Sequence, residues 1–199
     1  MRIKKFGSSS NWVVTICLLI TAFSTVSLAQ YNPAKPPGMG GDFELTDHNG
    51  ELFKLQDERG KLVLMFFGYT SCPDVCPMEL SSLSHLLDLL GTNASKVRTL
   101  FISVDPERDT PEVLKRYVSY FNPQLLGLTG TAKQLAEVTL QYHAQNSVNA
   151  NTKKIKNYTV NHSANLYVVN GEGRLINIIP FGIPMEHIYQ MINFELMRL

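Results

Sequence analysis

Two cysteines placed four residues apart, just after a wholly apolar run, constrain this chain more than any other feature. The stretch is Leu62-Val63-Leu64-Met65-Phe66-Phe67-Gly68-Tyr69-Thr70-Ser71-Cys72-Pro73-Asp74-Val75-Cys76-Pro77. A continuous apolar run of this length predicts a strand covered on both faces, which needs layers packed above and below a sheet. If a helix begins around Asp74, four residues make about one turn, and both sulfurs can face the same way. Two convergent thiols at a strand-to-helix turn suit either a soft metal ion or a reversible disulfide. Packing alone explains them poorly.

The third cysteine, Cys17, lies in an apolar run from Trp12 to Ala29 that follows the basic head Met1-Arg2-Ile3-Lys4-Lys5. The run ends in Ser27-Leu28-Ala29, a small-x-small pattern that reads as a secretory cleavage site. Its length also approaches that of a membrane span, so residues 1–29 are expected to be a signal peptide or, if uncut, a membrane anchor. Five hydroxyl residues dilute the run, which favours cleavage. Either way the body of the protein is exported, with the periplasm as the expected compartment, soluble or held at the inner membrane. Without residues 1–29 the chain keeps 15 Lys+Arg against 17 Asp+Glu, a formal charge of −2. That balance excludes the basic excess expected of a nucleic-acid-binding domain. Two remaining cysteines are too few for a disulfide scaffold, so a packed core must hold the domain together.

Residues 30–41, rich in Pro and Gly, read as a flexible linker, and residues 42–199 as one globular domain. Phe43 to Thr46 and Leu52 to Leu55 alternate apolar with polar around Asp47-His48-Asn49-Gly50, predicting a β-hairpin. Beyond the cysteines, Leu80, Leu83, Leu86, Leu87 and Leu90 mark the buried stripe of a helix. Val97 to Val104 is a second buried strand. Thr110 and Pro111 open a helix that runs to about Phe121, and Thr131 with Gln134 form a capping-box pattern that opens another. Asn165 to Val169 and Leu175 to Ile179 flank Asn170-Gly171-Glu172-Gly173 as a second hairpin, and Pro184 opens a last helix. Buried strands separated by helices and closed by a hairpin and a helix describe an α/β thioredoxin-like three-layer sandwich with an N-terminal β-hairpin.

In such a fold the reactive cysteines sit where the first buried strand opens into a helix, the place of Cys72 and Cys76. Exchange centres of the thioredoxin type carry two residues between their cysteines; here there are three. The helix N-terminus is expected to lower the thiol pKa, and thiolates are soft donors suited to Cu(I). Cu(II) would need a nitrogen ligand as well. Of five histidines, His48 lies in a hairpin turn, His187 near the start of the last helix, His85 two turns beyond Cys76, and His143 at the close of the third helix. His162, in Tyr158-Thr159-Val160-Asn161-His162-Ser163, precedes the Leu166 strand at a position expected to face the cysteine loop. Exchange enzymes usually place a cis-proline there, and residues 158–169 contain no proline. Asp109 is expected to support the start of the Thr110 helix, Met78 to pack, and Lys153, Lys154 and Lys156 to lie in a solvated loop, 145–157.

The chain resembles the Sco/SenC family, exported thioredoxin-like copper proteins that assist cytochrome c oxidase assembly. Gly68 to Pro77 matches its cysteine motif, Ser103-Val104-Asp105-Pro106-Glu107-Arg108-Asp109-Thr110-Pro111 a second block, and Val160-Asn161-His162-Ser163 a third, with Asn161 where Asp is usual. The resemblance implies a copper site made by Cys72, Cys76 and His162, able to hold Cu(I) or Cu(II). It implies as client the binuclear copper (CuA) centre of oxidase subunit II, or another copper protein. It favours a metallochaperone over an enzyme. The alternative is a thiol–disulfide reductase that uses Cys72 and Cys76 as a redox disulfide on the same client.

Overall fold

The strand Leu62–Gly68 (β3) is buried along its whole length, and its alternate residues divide the protein into two cores. Leu62, Leu64 and Phe66 join one apolar cluster; Val63, Met65 and Phe67 join the other. This follows from the two-residue period of a strand. The computed structural model describes residues 38–144, 146–148 and 158–199. Residues 1–29, most of the linker and Lys153, Lys154 and Lys156 lie outside the described residues.

Around β3 the chain builds a seven-stranded mixed sheet. Its other strands are Glu44–Asp47 (β1), Leu52–Lys54 (β2), Val97–Ser103 (β4), Leu125–Thr129 (β5), Asn165–Val169 (β8) and Leu175–Pro180 (β9), in the order β2-β1-β5-β4-β3-β8-β9. The pairs β3–β4 and β4–β5 are parallel, whereas β8 runs antiparallel to β3 and to β9. A separate two-stranded ribbon pairs Asn146–Val148 (β6) with Val160–His162 (β7). Among the described residues, four α-helices complete the layers: Val75–Leu90 (α1), Pro111–Phe121 (α2), Ala132–Gln141 (α3) and Met185–Leu196 (α4). Apolar residues of α1, α2 and α4 cover one face of the sheet, and Leu135 and Val138 of α3 the other. The expected three-layer sandwich with its N-terminal hairpin is the observed one.

The helix starts follow the sequence signals. Thr110 Oγ1 accepts from Val113 N–H at the start of α2, and Thr131 and Gln134 exchange the reciprocal bonds of a capping box at the start of α3. Strand β5 has no counterpart among the expected elements. Its run Leu125-Leu126-Gly127-Leu128-Thr129 carries a mid-strand glycine, which weakens any strand signal. A Cβ at Gly127 would lie 3.1 Å from Leu114 Cβ, so the glycine lets α2 pack closely on the sheet. Strand β6 also falls where a loop is expected, and its register with β7 opposes Asn146 to His162.

Packed structure begins before Asp42, against the expectation of a linker through residue 41. Met39 is buried, Gly40 N–H donates to the Gln141 carbonyl at 2.8 Å, and the buried Tyr142 hydroxyl donates to the Gly41 carbonyl at 2.7 Å. The Tyr142 ring meets Phe43, Phe67 and Tyr167, so one side chain ties this segment to the central sheet. Tyr142→Phe keeps the ring and deletes only the hydrogen bond. It should cost about 1 kcal/mol in urea unfolding, with faster hydrogen exchange at Gly40.

Candidate metal centre

The site is assembled where β3 ends. Gly68 closes the strand, Tyr69 to Cys72 turn, and α1 starts at Val75. Asp74, at the N-cap, makes no side-chain capping bond. The sulfur of Cys72 instead accepts from Cys76 N–H at 3.5 Å, standing where a capping oxygen would otherwise sit. The same helical turn that leaves this amide free brings Cys76 beneath Cys72. Both cysteines are free thiols; Cys76 is buried and Cys72 partly exposed.

His162 ends β7 and completes the cluster. Its Nε2 lies 3.4 Å from Cys76 Sγ and 3.8 Å from Cys72 Sγ, and the three donor atoms all lie within 4.8 Å of one another. Its Nδ1 is 3.2 Å from the Ser163 carbonyl oxygen. A carbonyl can only accept, so Nδ1 carries the proton and Nε2 turns its lone pair toward the sulfurs. Phe66 and Tyr69 hold the ring edge-to-face on two sides, at 5.9 and 5.7 Å between centroids. Two soft sulfurs and an oriented imidazole fit copper, and carry no oxygen that would favour a hard cation. Asn161 is exposed and makes no part of this cluster. His85, His143 and His187 are exposed and do not reach it, and His48 accepts from Gly127 N–H through Nδ1 at the hairpin end.

Beneath the cysteine turn lies a buried polar clamp that differs from the expectation for Asp109. Its carboxylate does not cap α2. It accepts from Thr70 N–H at 3.0 Å, from Thr70 Oγ1 at 2.5 Å and from Ser103 Oγ at 2.7 Å, locking the cysteine turn onto the end of β4. Burial pushes the Asp109 carboxyl up, and these three bonds act against that shift. Asp105 extends the clamp: it accepts from the Tyr158 hydroxyl at 2.6 Å and pairs with Arg108. Arg108 lies 3.8 Å over the Tyr158 ring and donates to the Tyr158 carbonyl. The DPERD block thus holds the cysteine turn on one side and the chain leading to His162 on the other.

Tyr117, on α2, was not among the expected site residues. Its hydroxyl is buried with no hydrogen-bond partner among the described residues. Burial pushes its pKa up, and charge on Cys76, Cys72 and Asp109 acts in the same direction. It is a spare donor beside the site, and only its place on the buried face of α2, three residues after Leu114, marks it in the sequence.

A thioredoxin-like domain that converges two free thiols and an oriented imidazole at the mouth of its first helix is a metal-handling member of that fold. The chain belongs to the SCO1/SenC family, whose model matches residues 32–196. It is 37% identical over 157 residues to a SCO2-like protein of Rickettsia prowazekii, covering 79% of this chain and 77% of that one. The copper-bound ScoI structure of Bradyrhizobium japonicum superposes with a TM-score of 0.72 at 39% identity, covering 79% of this chain and 99% of that one. The copper-bound structure of yeast Sco1 gives a TM-score of 0.75 at 34% identity, covering 82% and 91%.

The helix N-terminus does not lower the Cys76 thiol as expected: burial pushes it far up, outweighing the bond it gains from the backbone of Tyr69. Burial likewise holds the His162 imidazole below its ordinary value, opposed by bonds to the backbone of Ser163 and Phe67. At neutral pH the thiol is therefore protonated and the imidazole neutral. Metal binding through Cys76 would have to expel its proton, so apparent copper affinity should rise with pH by about tenfold per unit across neutrality. Competition against a chelator of known pH dependence measures this, and a flat profile would contradict it. A second prediction concerns Gly68. A Cβ there would lie 2.7 Å from Cys76 Sγ and 2.8 Å from a Phe101 ring carbon, so Gly68→Ala must displace the sulfur or the ring. It should cost about 1–3 kcal/mol in unfolding and weaken copper binding in the same competition assay.

Proposed function

We propose that this chain is a copper metallochaperone that holds Cu(I) or Cu(II) through Cys72, Cys76 and His162 and serves cytochrome c oxidase assembly. The observation that carries this reading is the convergence of both sulfurs and His162 Nε2 within 4.8 Å. Copper is the cargo. Cys76, buried at the base, and Cys72, partly exposed at the rim, would hold it from one side, with His162 closing the other. A client thiolate would approach from the Cys72 side and displace the ligands in turn, so copper passes without release as a free ion.

The client we assign is the CuA domain of oxidase subunit II. Export of the chain follows from reading residues 1–29 as a signal peptide or membrane anchor, with the domain from 42 onward in the periplasm. No helix among the described residues is long and apolar enough to cross a membrane. The thiol–disulfide reductase alternative gains less support. An exchange dithiol needs no nitrogen donor, whereas here the His162 imidazole converges with both sulfurs within 4.8 Å, a donor set suited to a soft metal ion.

Copper titration of the reduced chain, followed by visible and EPR spectra, tests the assignment. One copper per chain with thiolate-to-Cu(II) charge transfer is expected. Loss of a ligand should exceed the 10–100-fold penalty typical of disturbing a ligand's support, so His162→Ala should weaken Cu(II) binding by roughly 100-fold or more. Absence of stoichiometric copper, with rapid turnover of a disulfide substrate, would replace this reading with the reductase.

A further inference from the structure

One carboxylate near the copper site has a position that neither metal binding nor stability explains. Glu79 lies on α1 three residues after Cys76 and is only 6% exposed. Among the described residues it makes no hydrogen bond and no ion pair. It lines a groove of about 510 Å³ whose walls are otherwise apolar or hydroxylic, including Pro77, Met78, Phe181, Ile183 and Ile188. Burial pushes the Glu79 carboxyl up to about 7, with no neighbouring cation acting against the shift. An unpaired buried charge costs stability, and the exposed side of a helix would hold the same residue at no cost.

The groove adjoins the segments that carry the proposed ligands. Pro77 and Met78 follow Cys76 directly on α1. On the opposite wall, Phe181 N–H donates to the Ala164 carbonyl at 3.0 Å, two residues beyond His162. Two large apolar side chains are unusually open here, Met78 at 52% and Phe181 at 38% exposure. A protein that takes copper from Cys72 and Cys76 by ligand exchange must bring its own ligands to this end of the domain, so its footprint reaches the groove.

We propose that this groove is a docking recess for the copper client, which inserts a lysine or arginine side chain, its aliphatic stem between Met78 and Phe181 and its cationic head on Glu79. Such side chains have the required shape, an apolar stem with a charged tip. The carboxylate supplies the complementary charge in a partly dry site, where a charge-assisted hydrogen bond is strong. This inference rests on the metallochaperone reading and names the contact by which that function selects its partner.

The test measures binding of the copper-free CuA domain of oxidase subunit II to the copper-loaded full chain, by calorimetry. Glu79→Gln is nearly isosteric and removes the buried charge, so it should fold with a higher thermal midpoint and still take up one copper. It should bind the domain about tenfold more weakly, the effect of losing one charge-assisted hydrogen bond. Phe181→Ser should weaken binding similarly. The Glu79→Gln loss should vanish against a domain in which the inserted lysine or arginine is replaced by methionine, found by scanning that face of the domain. If the wild type binds and both variants bind equally well, the groove is not the docking recess and the copper reading stands. If the wild type takes up copper but does not bind the domain, the assigned client is wrong and this inference falls with it. Self-association or vesicle binding abolished by Phe181→Ser, with domain binding intact, would give the groove to a second copy or to lipid and overturn the proposal.

Discussion

The Asp109 carboxylate is the constraint on which the rest of the site depends. It is fully buried and accepts three hydrogen bonds, two from Thr70 and one from Ser103. A charge taken out of water is tolerated only when its acceptor sites are satisfied, so Thr70 and Ser103 cannot move independently of it. Fixing Thr70 fixes the turn Tyr69 to Cys72, closed by the Cys72 N–H to Tyr69 carbonyl bond. That turn determines where α1 starts. Cys72 lies in that turn and Cys76 is the second residue of α1, so the place where α1 starts determines where the two sulfurs converge.

His162, the third donor of the cluster, is held from a different part of the chain by the same block. Asp105 and Arg108 grip Tyr158 through its hydroxyl, its ring and its carbonyl, and the short ribbon of β6 and β7 carries the chain from there to His162. The DPERD segment is therefore the bracket between the two donor-bearing segments, some ninety residues apart in sequence. Positioning of this kind matters for a site with three donors among the described residues, because disturbing the groups that orient a ligand typically costs about 10–100-fold in metal affinity.

Much of this was legible from the residues. The apolar run of β3, the hydroxyl caps of α2 and α3, and the Asn170 turn each follow from local rules that tertiary packing did not override. Cys72, Cys76 and His162 were identifiable because thiol spacing and the missing proline are visible in one dimension. What escaped was set by three-dimensional environment. Asp109 precedes a capping threonine, which makes helix support the natural local reading; only the fold brings Thr70, thirty-nine residues upstream, against it. The Cys76 thiol was expected to shift downward from its place at a helix start, and the desolvation that reverses the sign is a property of the packed core. Strand β5 was hidden by Gly127, whose role is to let α2 approach. The linker reading failed at Met39 because burial of a single side chain leaves no periodic pattern.

The two cysteines are inequivalent, and that asymmetry gives the site a direction. Cys76 sits in the core, its thiol destabilised as a thiolate until a cation offsets the burial; Cys72 sits at the rim, its sulfur accepting a helix amide. A bound copper ion restores the charge balance that Cys76 lacks when free, so the empty site favours a protonated, neutral base and the loaded site a thiolate pair. In the transfer proposed above, an incoming thiolate would meet Cys72 first, because Cys72 is the partly exposed partner, and Cys76 would regain a proton as the ion left. A proton returning to Cys76 would suit the emptied site, since a neutral thiol is the form its buried surroundings prefer.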